Sequence, residues 1–203
     1  MSRPWQYTRS RYFLMQAVMW LILGATVGLA ALISRHRSGR VDTLTEKVEV
    51  KSPAGQVSVL LPKGWVIETR KPKPGQGDVL KVIARESAEE ADPDQPGRVV
   101  TVTLEPVAED VTATQYLAET RKLPLLQVRQ TLLGNRKWIL TGGPTIAHVM
   151  DEDVPGYRLD ACTIFGSGAV AMALDIELTG YLRQDPKDED LLKQIATRVQ
   201  VKE

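Results

Sequence analysis

From Phe13 to Ile33 the chain runs twenty-one residues without a charge, and only Gln16 and Thr26 in that stretch are notably polar. No other feature narrows the possible folds so far. A helix rises about 1.5 Å per residue, so this length covers the roughly 30 Å hydrocarbon core of a bilayer. The expected layout is an N-terminal tail at 1–12, a single transmembrane helix at 13–33, a polar linker at 34–45 and a globular domain at 46–203. Charge is divided the same way. Residues 1–40 hold six Arg and no acid, whereas the rest of the chain sets 20 Lys and Arg against 25 Asp and Glu. The formal net charge of +1 therefore hides a basic segment and an acidic one.

A secretory signal is the alternative for such a stretch, with Gly28-Leu29-Ala30 as small residues at a cleavage position. Length and flanks favour a retained anchor. Apolar character continues through Leu32-Ile33, until Arg35, His36, Arg37 and Arg40 stop it. Trp5, Tyr7 and Tyr12, together with Arg35 and Arg37, stand where amphipathic rings and cations favour the headgroup layer. No cysteine lies there to make a lipoprotein box. Positive-inside counting is nearly balanced between the two flanks. A short tail before one apolar segment suits a signal-anchor in the cell (inner) membrane, with the C-terminal domain outside. Gly24 and Gly28 form a GxxxG, whose small residues allow a neighbouring helix to approach; glycine is also simply common in membrane helices.

The remaining segment, about 155 residues, is an ordinary size for one domain. Its dominant pattern has period two, which places one face of a strand on a core. Val57–Leu61 reads as a strand broken by Pro62-Lys63-Gly64 and resumed at Trp65–Glu68. Leu80, Val82 and Ala84, then Val100, Val102 and Leu104, predict a hairpin around the acidic loop Ser87–Gly97. Thr112 and Gln115 make a capping box for a helix over Ala113–Lys122, with Tyr116 and Leu117 turned to a core and Pro124 ending it. Leu126–Leu133 and Lys137–Thr141 predict a second hairpin across Gly134-Asn135. Tyr157–Phe165 and Ala169–Thr179 flank Gly166-Ser167-Gly168 as a third. In its second strand Val170, Met172, Leu174, Ile176 and Leu178 share one face, and Ala169, Ala171, Ala173, Asp175 and Glu177 the other. The small alanine face predicts a closely packed helix, or else a partner docked there. A final helix from Pro186 to Val199 has Asp185 as N-cap and Leu191, Leu192, Ile195 and Val199 as its apolar stripe.

This order predicts an α+β domain, an antiparallel sheet covered by helices, behind a single N-terminal transmembrane helix. In Val57–Trp65 (VSVLLPKGW), Val99–Glu105 before a Thr112-capped helix, the Leu132–Leu140 hairpin and the Tyr157–Thr179 hairpin with its terminal helix, the chain resembles the PsbP-like superfamily. That superfamily takes in the extrinsic PsbP subunits of photosystem II, Mog-type proteins and DcrB-like envelope proteins. The likeness spans about Val48–Val199 and lies mostly in hydrophobic pattern and element order. It implies an αβα sandwich, and a binding, stabilising or assembly role rather than catalysis.

No constellation of side chains points to a reaction. His148 is the domain's one histidine, without a cysteine or second histidine near it, and zinc sites need several such ligands. Cys162, mid-strand and the only cysteine, lacks the neighbouring base or cation that activates a thiol and supports no intrachain disulfide. Phe165-Gly166-Ser167-Gly168-Ala169 has its glycines too close together for a nucleophile elbow, and no phosphate-binding loop occurs. The acidic clusters Glu89, Glu90, Asp92, Asp94 and Asp151, Glu152, Asp153 lack EF-hand spacing and read as solvated loop charge. No catalytic residue, cofactor or metal is therefore expected. Arg70, Lys71 and Lys73 form a compact basic loop able to meet lipid phosphate or an acidic partner, too small a patch for nucleic acid. The reading is a non-enzymatic, membrane-anchored accessory, stabilising or assembly subunit of a larger membrane complex. Its expected partners are the bilayer and other subunits, met through the transmembrane helix (Gly24, Gly28) and the globular domain (Arg70, Lys71, Lys73). The rival is an envelope protein binding a small ligand or metal, and behind it a hydrolase, using a Thr141–Gly156 loop with His148 and Asp151–Asp153.

Overall fold

A computed structural model describes residues 43–70, 79–87, 97–123, 127–149, 152–181 and 185–202. The described residues form ten strands in two antiparallel sheets. The smaller has the order β1-β2-β10, formed by β1 (Leu44–Ser52), β2 (Gly55–Pro62) and β10 (Gln200–Lys202). The larger has the order β3-β4-β5-β9-β8-β7-β6, formed by β3 (Val66–Arg70), β4 (Leu80–Arg85), β5 (Val99–Pro106), β6 (Arg129–Leu133), β7 (Arg136–Val149), β8 (Glu152–Phe165) and β9 (Met172–Tyr181). Among the described residues, helix is confined to a single turn α1 (Ala113–Gln115), continued as a π-turn over Tyr116–Thr120, a 3₁₀ turn at Gly168–Val170, and α2 (Pro186–Thr197).

The domain is thus built mainly of strands, and this corrects the expected helix-covered α+β sandwich. The alternating pattern extends through segments without an obvious strand signature, and the layer expected to be helical is largely a second sheet. In β1, Lys47, Glu49 and Lys51 face water while Val48 and Val50 pack against the core. Val57, Val59 and Leu61 of β2 lie in that core with Val82, Val102, Leu104, Leu174 and Ile176 of the large sheet. Burial between sheet faces, at about 25 cal/mol per Å² of apolar surface, is what binds the two layers. Helix α2 covers another part of the same core through Leu191, Leu192, Ile195 and Ala196.

Three further expectations change. Strand β1 begins at Leu44, so the linker expected to run to Thr45 gives way to sheet two residues sooner. Strands β2 and β3 belong to different sheets, not to one interrupted strand. The segment Thr141–Gly156, expected as a loop, holds the outer halves of β7 and β8, paired from Ile139↔Cys162 out to Val149↔Glu152. The hairpins β4–β5 and β8–β9, the Thr112–Gln115 capping box and the Asp185-capped terminal helix form where the sequence places them. Residues 13–33, with Gly24 and Gly28, lie outside the described residues, as do Trp5, Tyr7, Tyr12, Arg35, Arg37, Lys71 and Lys73. Among the described residues no helix is long and apolar enough to cross a membrane.

A polar clasp ties α2 to the large sheet. Asp188 closes the capping box by accepting from the Asp185 N–H at 3.1 Å, and it also accepts from the Tyr157 hydroxyl and pairs with Arg98 at 3.3 Å. Arg98 binds Glu86 at 2.9 Å and lies over the Trp65 ring, 5.4 Å from its centroid. The buried Asp188 charge is therefore met from several sides, which a buried carboxylate requires.

Candidate functional site

The two faces of β9 differ. Leu174, Ile176 and Leu178 enter the core between the sheets, while Ala173, Asp175 and Glu177 point to the opposite face. Antiparallel register then sets out rows of side chains across that second face. One row places Thr103 of β5, Asp175 of β9, Cys162 of β8 and Ile139 of β7 side by side; the next places Thr101, Glu177, Asp160 and Thr141. Cross-strand neighbours are close enough for direct contact. Three acids that are far apart in the chain, Asp160, Asp175 and Glu177, thus come together with their oxygens within 4.8 Å of one another.

Helix α1 and its π-turn cover this face. Tyr116 and Leu117 pack with Cys162 and Ala173 into a small second apolar cluster, the closely packed helical turn that the alanine face predicted. The Tyr116 hydroxyl donates to Glu105 at 2.8 Å. Just beyond the π-turn, Arg121 sends Nη2 to Glu177 at 2.5 Å and sets Nε 3.0 Å from Asp175. That second approach is an ion pair without hydrogen-bond alignment: the Asp175 oxygens and Arg121 Nε each lack a hydrogen-bond partner. Arg158 closes the other side by donating three bonds to Asp160, at 2.5, 2.9 and 3.0 Å, and by an ion pair to Glu177 at 3.1 Å.

Burial governs the electrostatics. Asp175 is wholly shielded from water (0 % exposed). Desolvation first, and the Asp160 charge second, raise its carboxyl to about 8, against the pull of Arg121 and Arg158. Asp160 is also raised by burial, with Arg158 opposing. The Cys162 thiol is pushed up by burial and by the Asp175 and Asp160 charges, so it is a poor nucleophile. The Thr103 and Thr141 hydroxyls, buried beside Asp175 and Asp160, have no partner either. Two guanidinium groups already occupy the position where a divalent cation would need open carboxylate oxygens, so the cluster is chemically an ion-pair network rather than a metal centre.

The residues singled out in the sequence lie elsewhere. Arg70 ends the edge strand β3, exposed and paired with Glu68 at 2.9 Å; the same Glu68 pairs with Arg85 at 3.3 Å. His148 stands opposite Asp153 in the β7–β8 ladder, while Asp151 lies outside the described residues. From Ile146↔Pro155 out to Val149↔Glu152 the β7–β8 pair runs on as a short two-stranded arm, with no third strand beside it among the described residues. Ile146 on this arm is 71 % exposed. Between the sheets, Val48, Val50, Val57, Leu80, Val82 and Leu104 border a narrow aliphatic gap.

The sequence alone gave no hint of the carboxylate cluster. A signal was nonetheless present: a hairpin turning at Gly166–Gly168 puts Asp160 opposite Glu177, and Asp175 occupies the face shared with Ala173.

No protein-family model matches the chain, and no characterised protein matches it by sequence. Among solved structures it is similar to LpqN of Mycobacterium tuberculosis, a protein involved in cell envelope biogenesis. The identity is 14 %, over 77 % of this chain and 90 % of that one, with a TM-score of 0.48. It is also similar to a protein from Bacteroides thetaiotaomicron at 11 % identity, over 78 % of this chain and 50 % of the other, with a TM-score of 0.43. Both scores fall below 0.5, so neither likeness carries an argument here.

Proposed function

We propose that the chain is a non-enzymatic, membrane-anchored binding subunit of a larger membrane complex, and that it meets its partner through the β7–β8 arm. The observation that carries this reading is the arm itself. A two-stranded ribbon is marginally stable in water, and this one holds a large aliphatic side chain, Ile146, in solvent. Among the described residues no strand pairs with its outer edges, and adding a strand to such an edge is a common mode of protein recognition. The best-developed polar cluster is, by contrast, ion-paired and sealed under a helical turn, and so presents no reactive group to a substrate. The uncharged stretch at 13–33 supports an anchor holding the domain at a membrane surface, which raises effective concentration toward a membrane partner. Arg70 at the end of β3, with Lys71 and Lys73 following it in the sequence, adds basic charge suited to steering toward an acidic surface.

A photo-crosslinking residue placed at Ile146 in the full chain, in its native membrane, tests the proposal. The expected result is one discrete adduct with a protein that also co-purifies stoichiometrically in mild detergent, and none from the same residue at Val66 on the far edge strand. A monomer that gives no adduct, or that turns over a small substrate, overturns the reading.

A further inference from the structure

The carboxylate cluster does not balance. Asp160, Asp175 and Glu177 face Arg121 and Arg158, three potential negative charges against two permanent positive ones. The surplus falls where water is absent and where neither Asp175 oxygen has a hydrogen-bond partner. An uncompensated charge in such a place costs several kcal/mol, whereas a single proton makes the whole set neutral. None of the remaining groups around Asp175 supplies a compensating positive charge. From β5 come Thr103 and the half-buried Glu105, an acid that accepts from Tyr116; from β8, the neutral Cys162 thiol; from β7, Ile139 and Thr141; from the π-turn, Tyr116 and the Arg121 already counted.

The cover is a short element made almost entirely of residues close together in sequence. It is one α-turn continued by a π-turn, closed by Arg121 N–H to Tyr116 C=O at 3.1 Å. Lys122 then takes φ 52°, the one positive φ among described residues other than glycine. Short π-turns and left-handed non-glycine residues are locally unfavourable and cluster at elements that move. The turn holds the sheet through Tyr116 and Leu117, with Ala113 and Leu123 packed beside them, through the Tyr116–Glu105 hydrogen bond and through the Arg121 ion pairs, and these contacts are broken together when it lifts.

We propose that residues 113–122 form a proton-latched flap: it stays closed over β8 and β9 while the Asp160–Asp175 pair holds one proton, and its opening releases that proton. Once the flap lifts, Asp175 meets water and behaves as an ordinary aspartic acid, which ionises near pH 3.9. The closed form retains the proton to higher pH, with the two carboxyls titrating as a pair. Between these limits the open form binds fewer protons, so raising the pH favours opening by up to tenfold per unit; above the upper limit the effect levels off.

Cys162 reports the opening directly, because it is the chain's one cysteine and lies beneath Tyr116 and Leu117. The full chain in detergent micelles is treated with a maleimide between pH 5.5 and 7.5. Each rate is divided by that of the urea-unfolded chain at the same pH, which removes the thiol's own titration. The normalised rate is expected to rise between tenfold and a hundredfold across the range, and to stay flat in Asp175→Asn, where the latch is permanently neutral. Hydrogen exchange at Leu117 should follow the labelling, while Val102 in β5 stays more protected. A flat wild-type rate overturns the proposal, as does an unchanged slope in Asp175→Asn. Labelling that merely tracks Val102 exchange also overturns it, since that would mean global unfolding. If Asp175→Asn fails to fold, the wild-type slope and the Leu117–Val102 comparison decide alone.

Discussion

Gly180→Ala is expected to be among the most damaging small substitutions in the domain. Gly180 pairs with Tyr157 across β8 and β9, and the tyrosine ring lies directly over the glycine. A Cβ built there would stand 2.5 Å from Tyr157 Cε1, and it would fall inside the envelopes of Cζ and the hydroxyl oxygen. The backbone at 180 is held in the ladder, so the ring must move. Its hydroxyl then leaves Asp188, the carboxylate that caps α2 and pairs with Arg98. Overpacking of this kind costs about 1–3 kcal/mol, and a lost hydrogen bond to a charged group a further 1.5–3 kcal/mol or so. The expected destabilisation is about 3–5 kcal/mol, a large share of the 5–15 kcal/mol or so that holds a typical domain folded.

Urea unfolding of the 42–203 fragment, followed by fluorescence of the buried Trp65 and Trp138, measures this. A double-mutant cycle isolates the cause. In a Tyr157→Ala background, itself costly, adding Gly180→Ala should cost less than about 1 kcal/mol because no ring remains to collide. Equal costs in the two backgrounds would refute the steric account and leave strand propensity as the explanation.

Leu174→Ala should cost about 2–5 kcal/mol in the same assay, since Leu174 is wholly buried between the sheets (0 % exposed). A fragment starting at Asp42 should unfold cooperatively, because Asp42–Glu203 is one compact unit. A fragment starting at Val48 loses buried Leu44 and the Leu44↔Pro62 end of the β1–β2 ladder, and should unfold at lower urea. Thr112→Ala removes the hydroxyl that caps Gln115 N–H at 3.2 Å and should cost about 0.5–2 kcal/mol, read as faster exchange at Tyr116 and Leu117. Asp175→Asn should stabilise the fold at pH 7 relative to pH 5. Burial and the Asp160 charge raise the folded carboxyl to about 8, above its unfolded value, so the wild type loses up to about 1.4 kcal/mol per unit as pH rises toward that point, and the asparagine variant does not. Parallel urea midpoints of the two proteins from pH 5 to 8 would refute this.

Local chemistry was easy to see in the sequence, and pairing between distant segments was not. Thr112 with Gln115, and Asp185 with Pro186, announce helix starts because their oxygens meet N–H groups only two or three residues away. The alternation of Leu174, Ile176 and Leu178 shows a buried face because a strand needs no partner to define which side each residue takes. The outer half of β7 was hidden by Gly142-Gly143-Pro144, which reads as a loop. Pro144 lies past the described end of the β6 pairing, opposite Tyr157 of β8, and an edge position of that kind is where a strand tolerates proline. Strand β1 was not read from the sequence, although Lys47, Glu49 and Lys51 alternate there with Val48 and Val50, and the second sheet it joins depends on β2 pairing with β1 on one side and, through Val57 and Val201, with β10 on the other. That choice between a covering helix and a covering sheet rests on contacts far apart in sequence, and a resemblance carried mainly by element order could not make it.

The acidic cluster shows the same limit at the level of chemistry. Asp175 and Glu177 on the alanine-bearing face look like an ordinary solvated edge until the register supplies Asp160 and the π-turn supplies Arg121. Had this face been open to water, Asp175 would ionise, and the cluster would be no more than surface charge screened by salt. Tyr116 and Leu117 change its nature by excluding solvent, since the same three carboxylates then cannot all remain charged beside only two guanidiniums. The property that sets this surface apart therefore comes from the capped turn lying on it rather than from the acids alone, and removing that turn should abolish the raised Asp175 carboxyl together with the burial of Cys162.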